Sequence, residues 1–109
     1  TSILTSVAND YSYDVVFSRQ VEGLGQEGDV LWGITTSGNS GNVIKAVEAA
    51  KKKGLKTIVS SGKDGGAIRG RADISLVIPS DVTARIQEMH MLCAHLICEI
   101  IDEESWGNE

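Results

Sequence analysis

The polar chemistry of this chain concentrates in "TTSGNS", residues 35–40. Thr35, Thr36, Ser37 and Ser40 offer hydroxyls, and Gly38 lets the backbone approach a ligand closely. The loop follows the strand-like run "DVLWGI" and precedes a helical pattern. The free N–H groups at that helix start, with the positive end of the helix dipole behind them, make an anion cradle. The loop carries neither GxxxxGK[ST] nor GxGxxG, so a sugar phosphate suits it better than a nucleoside triphosphate. A plain helix cap is the competing reading, because Ser40 alone accounts for one.

A second polar group lies near the far end, in "TARIQEMHMLCAHLICEIID". This stretch reads as a mostly apolar helix with Ile86, Cys93, Leu96, Ile97 and Ile100 on a broad face. Gln87 and His95 share one ridge of it, two turns apart. His90 reads as a core or interface histidine, whereas His95, aligned with Gln87, is better placed for chemistry. Two ligands alone do not complete a metal site, which usually needs three or four. Asp64 in "KDGG" is expected for turn geometry and Asp73 opens a strand. Asp10, beside Asn9, either caps the helix that follows or faces the pocket.

The elements that must position these residues alternate. "SILTSVAND" predicts a short helix and "YDVVFSRQVEGLG" a second one ending at Gly25. "GDVLWGITT" is a strand, apolar through its middle as expected of one covered on both faces. Over 41–53, Val43, Ile44, Val47 and Ala50 form a helical stripe. Ser40 is its expected N-cap, Lys51, Lys52 and Lys53 suit its negative end, and Gly54 suits the left-handed position beyond. "KTIVSSG" and "DISLVIP" are further strands joined by "KDGGAIRGRA", and residues 83–104 predict a helix of about 30 Å. This is the βαβ alternation of a three-layer, doubly wound parallel α/β sheet. Three strands are few for it, and no strand precedes the two leading helices, so part of the domain is expected outside this chain. The last helix has apolar residues on more than one side (Met91, Leu92 and Cys98 as well as Ile86 and Ile97), which predicts a partner on its second face.

Bulk composition narrows the classes. A chain of 109 residues and 11.6 kDa is at most one domain. A net charge of -5 argues against a general nucleic-acid or membrane-surface binder. No apolar run approaches the roughly 20 residues of a membrane span, and "TSILTSVAND" lacks the features of a signal peptide. Cys93 and Cys98 sit about 140° apart on one helix, which excludes a disulfide between them. They read as small core hydrophobes in a reducing, cytoplasmic setting.

The run "GDVLWGITTSGNSGNVIKAVEAAKKKGLKTIV", then "GKDGG" and "ARIQEMHMLCAHLICEIID", closely resembles the phosphoheptose isomerases, which are SIS (sugar isomerase) domain proteins. The resemblance covers essentially the whole chain. It implies a flavodoxin-like sheet of which residues 1–109 are the C-terminal part, holding about three of five strands. The N-terminal helix, two strands, a glycine-rich loop, the catalytic Glu and another His ligand of that family are then expected outside this chain. The implied reaction is isomerisation of sedoheptulose 7-phosphate to glycero-manno-heptose 7-phosphate, the start of activated-heptose synthesis for lipopolysaccharide core or a related glycan.

The resemblance also assigns roles. Thr35, Thr36, Ser37 and Ser40 would hold the phosphate, with Asn9, Asp10 and Gln87 among the substrate contacts. Gln87 and His95 would ligate an active-site zinc, and His95 would also act as acid or base. The implied assembly is a homotetramer with active sites at subunit interfaces. A sister of these enzymes, the initiator-associating protein that binds the replication initiator DnaA, shares "ARIQEMHML". Its loop resembles "TRGNS", with Arg at the position of Ser37, and it has Asn at that of His95. Both differences favour the isomerase, while Ala84, an Asp in some isomerases, matches the sister. A sugar-phosphate-sensing SIS module, as fused to transcription regulators, is the third reading.

Overall fold

A computed structural model describes residues 1–106. Helix α1 spans Ser2–Asp10, and a 3-10 turn at Tyr13–Val15 leads into α2, Val16–Leu24. Strand β1 (Val30–Ile34), helix α3 (Gly41–Lys52) and strand β2 (Lys56–Gly62) form the first βαβ unit. Strand β3 (Ile74–Ile78) and the long helix α4 (Thr83–Trp106) complete the order. The sheet runs β1-β2-β3, parallel throughout, with Val30 opposite Lys56 and Ile58 opposite Ile74. The predicted doubly wound α/β architecture is what forms.

The core sits between β2 and α3. Val43 and Val47 of α3 pack with Val59 of β2 and with Ile68 from the 63–73 connection. Val47, Val59 and Ile68 are fully buried, and each such side chain contributes about 1.5–3 kcal/mol. The predicted stripe of α3 therefore faces inward, and Gly54 beyond it takes φ 79 as expected of a left-handed terminus. Helix α2 lies along α3, with Val16 buried and Lys53 Nζ donating to the Glu22 carbonyl at 2.7 Å.

Glycines show which helix covers which face. A Cβ on Gly33 would meet Val43 of α3, whereas one on Gly62 would run into Ile86 of α4. Gly33 pairs with Val59, three residues before Gly62, so the two Cβ directions are opposite. Helices α3 and α4 cover opposite faces.

Three expectations need correction. Strand β1 is the outer strand among the described residues, and Val30 and Ile34 are exposed rather than covered on both faces. The expected apolar face of α4 is only partly used. Ile86 is buried, Cys93 and Ile97 are half-buried, and Leu96 and Ile100 are exposed. Cys93 and Cys98 are free thiols as predicted, but Cys98 is exposed and neither is a core residue. No helix among the described residues is long and apolar enough to cross a membrane.

Candidate functional site

The loop 35–40 begins where β1 stops. Thr35 N donates to the Ser60 carbonyl at 2.9 Å, extending the β1–β2 ladder by one bond and burying Thr35 at the carboxyl end of the sheet. Its hydroxyl then organises the loop. Thr35 Oγ1 shares a 2.7 Å hydrogen bond with Ser40 Oγ and accepts from Gly38 N at 3.3 Å. Ser37 Oγ accepts from Asn39 N at 3.1 Å.

Ser40 stands at the N-cap of α3 as predicted, but its side chain turns to Thr35 and makes no capping bond. Among the described residues this leaves the N–H groups of Gly41, Asn42 and Val43 unpaired at the positive end of the helix. A loop serving only as a cap would have satisfied one of them. The arrangement is that of an anion cradle.

A second loop, which sequence reasoning treated only as a connection, locks the first. Gly38 has φ 74, and a Cβ there would overlap the Gly65 carbonyl. Gly66 has φ 60, and a Cβ there would strike the Ser37 carbonyl at 2.5 Å. Only glycine allows the backbones this close. Ile68 N donates to the Gly38 carbonyl at 3.0 Å and Ala67 N to Asn39 Oδ1 at 2.8 Å. Asn39 is thus a loop-holding residue that the sequence reading missed. Its signal was the paired glycines of "KDGG", whose closeness to loop 35–40 cannot be read along the chain. Asp64 does what its turn predicted, accepting from Gly66 N at 3.0 Å.

The other predicted residues are placed as follows. Gln87 and His95 are exposed on α4, eight positions apart, about 12 Å along the helix axis. His90 is buried, as its core reading predicted, with Nε2 2.8 Å from the Ser61 carbonyl. Asn9 and Asp10 end α1, both exposed. Neither caps α2, so that alternative for Asp10 is discarded. The described residues contain no group of three or more His, Cys, Asp or Glu side chains able to hold a metal. Gln87 and His95 offer oxygen and nitrogen donors of the kind zinc accepts, but only two of them.

Asp73 holds the opposite end of the sheet. Its Oδ2 accepts from Thr57 N at 2.8 Å and from Thr57 Oγ1 at 3.1 Å, while Asp73 N donates back to Thr57 Oγ1 at 2.9 Å. The Thr57 N–H first, then its hydroxyl, hold this carboxyl below its ordinary value, with Lys56 and Lys51 adding to the effect. A cleft of about 550 Å³ lies away from this chemistry, against β1, and is lined by Leu4, Phe17, Val21, Trp32, Ile34 and Val43 among others.

Known proteins share this architecture. The phosphoheptose isomerase of Sulfurimonas denitrificans is 56% identical over 108 residues, which are 99% of this chain and 55% of that protein. That of Helicobacter pylori (strain P12) is 56% identical over 102 residues, 94% of this chain and 53% of that protein. Phosphoheptose isomerase GmhA from Neisseria gonorrhoeae superposes with a TM-score of 0.90 at 51% identity, covering 93% of this chain and 57% of that one. A phosphoheptose isomerase from Francisella tularensis gives 0.90 at 44% identity, covering 94% and 57%. The chain thus spans about half the length of the relatives it matches. The sequence profile described as SIS domain matches residues 1–62, so with this parallel sheet and the loop at its carboxyl end the chain belongs to the SIS domain family.

Proposed function

We propose that this chain is the phosphate-holding part of an aldose–ketose isomerase that converts sedoheptulose 7-phosphate into glycero-manno-heptose 7-phosphate. The observation that carries the reading is the cradle. Thr35 and Ser40 satisfy each other, while among the described residues the N–H groups of Gly41, Asn42 and Val43 stay unpaired after a loop that also carries the hydroxyls of Thr36 and Ser37. A phosphate seated there would accept from those amides and hydroxyls and hold the far end of the sugar. The names of the relatives, phosphoheptose isomerases, support a heptose phosphate as the substrate class. Ser37, where the sister's loop has an Arg, favours the isomerase over the DnaA-binding sister.

The reaction moves a proton between C1 and C2 through a cis-enediol. In this reading His95 donates or accepts a proton at the adjacent oxygen, Gln87 contacts the sugar, and Asn9 and Asp10 bind its hydroxyls. The carboxylate that carries the carbon-bound proton comes from outside residues 1–109. Gln87 and His95 would hold a zinc ion together with donors from beyond this chain. When bound, such an ion polarises a carbonyl oxygen and stabilises its developing negative charge. The exposed apolar row of α4 (Leu92, Leu96 and Ile100) supports packing against another subunit, and the assembly in this reading is a homotetramer with active sites at subunit interfaces.

The test is turnover by the intact protein. Sedoheptulose 7-phosphate is incubated with it and the aldose product followed. The intact protein is expected to convert it and residues 1–109 alone are not. Absence of turnover by intact, zinc-supplemented protein would refute the isomerase. Turnover by residues 1–109 alone would refute the need for an outside carboxylate.

A further inference from the structure

Helix α4 carries both Gln87 and His95, yet among its described residues it buries only Ile86 and His90. Both reach the same two-residue segment, the end of β2. Ile86 packs at Gly62, and His90 Nε2 lies 2.8 Å from the Ser61 carbonyl. A carbonyl oxygen only accepts, so Nε2 carries the proton and donates. The same segment abuts the cradle, because a Cβ on Gly62 would also meet the Thr36 carbonyl at 2.7 Å. It then continues into Gly65 and Gly66, which interlock with Gly38 and Ser37.

Packing alone does not account for a histidine here. His90 Nδ1 and Ser61 Oγ are both buried without a hydrogen-bond partner among the described residues. A buried unpaired polar atom costs about 1–3 kcal/mol, which a leucine of similar size avoids. What only the imidazole supplies is a directed bond to one carbonyl.

We propose that His90 is a positioning residue that sets the Gln87–His95 ridge of α4 against the phosphate cradle, a role that rests on the isomerase reading above. Gln87 is one turn from His90 and His95 is five residues beyond it, so a rotation or slide of α4 about this anchor displaces both. Loop 35–40 keeps its Thr35–Ser40 pair and the bonds from Ala67 N and Ile68 N, none of which involves α4. Losing the anchor therefore reduces turnover more than substrate binding.

The test compares His90→Leu and His90→Gln in the intact protein, the glutamine being able to donate Nε2–H to Ser61. His90→Leu is expected to lower kcat about 10- to 100-fold with KM changed by less than about threefold. His90→Gln is expected to recover most of that loss. Amide hydrogen exchange gives a readout without turnover: residues 61–66 should exchange faster in His90→Leu and return towards wild type in His90→Gln. Equal losses in the two variants, a change confined to KM, or faster exchange spread evenly over the sheet would each overturn the proposal. If wild type shows no turnover, the isomerase reading fails and the exchange comparison still decides the anchor. If His90→Leu does not fold, His90→Gln decides alone. Protected 61–66 amides and kcat within about tenfold of wild type support the role, and loss of either overturns it.

Discussion

The cradle and α4 are built in opposite ways. Loop 35–40 is held from within, by the Thr35–Ser40 pair, and from beside, by glycines and backbone bonds of the 63–68 segment. Its geometry is complete in this chain. Helix α4 touches the rest of the described fold near its start and then presents Met91, Leu96, Ile100, Ile101 and Trp106 to the outside, each about half exposed or more. A self-contained loop can hold an anion, but a helix that leaves its apolar side uncovered needs another surface to fix it. In the proposed reading the binding half of the site is local and the reacting half is shared.

That contrast is sharpest at His95. His95→Ala in the intact protein should lower kcat about 10²- to 10⁴-fold while the KM for sugar phosphate changes little. Unchanged turnover would remove His95 from the chemistry.

Gly38→Ala attacks the other half. The added methyl overlaps the Gly65 carbonyl and the residue must keep φ 74. Left-handed strain of about 1–2 kcal/mol and overpacking of about 1–3 kcal/mol should lower the melting temperature by several degrees. Phosphate affinity should fall by about 100-fold, measured by titration with sugar phosphate. Wild-type affinity in this variant would mean the glycine interlock does not shape the cradle.

Thr35→Val is a milder probe, removing one hydroxyl and leaving Gly38 N and Ser40 Oγ without it. KM should rise about tenfold with kcat nearly preserved, as expected when a buried bond worth about 1.4 kcal/mol is lost. A fall in kcat at constant KM would show that the loop takes part in the chemical step.

Asp73→Asn is the smallest change and lies at the far end of the sheet. Because Asp73 is held below its ordinary value, its contribution is present above the unfolded carboxyl value, about 3.9, and fades as pH falls through the lower folded value. The variant should melt slightly below wild type at pH 7, the gap should close below about pH 4, and turnover at pH 7 should be unaffected. A gap that persists in acid would assign the loss to geometry rather than charge.

Much of the fold was legible because local rules were obeyed. The 3.6-residue stripe from Val43 to Ala50 became α3, with Gly54 in its left-handed position, and "KTIVSSG" became β2 residue for residue. His90 read correctly as buried because a lone histidine on an apolar helix is usually packed. Val30 and Ile34 of β1 and Leu96 and Ile100 of α4 are exposed where their apolar runs predicted cover, since such a run states that burial is needed and not which surface provides it.

By itself, then, the sequence determined the order of elements, the parallel sheet, the place of the polar loop after β1 and the glycines that allow tight backbone. These follow from residue types and short spacings. Only the tertiary structure decided that Ser40 turns to Thr35 instead of capping α3, that "KDGG" clasps "TTSGNS", and that His90 meets Ser61. Each of those joins residues on different elements or lets a side chain choose between two partners. Spacing along a chain specifies neither choice. The packing of strands and helices in space does.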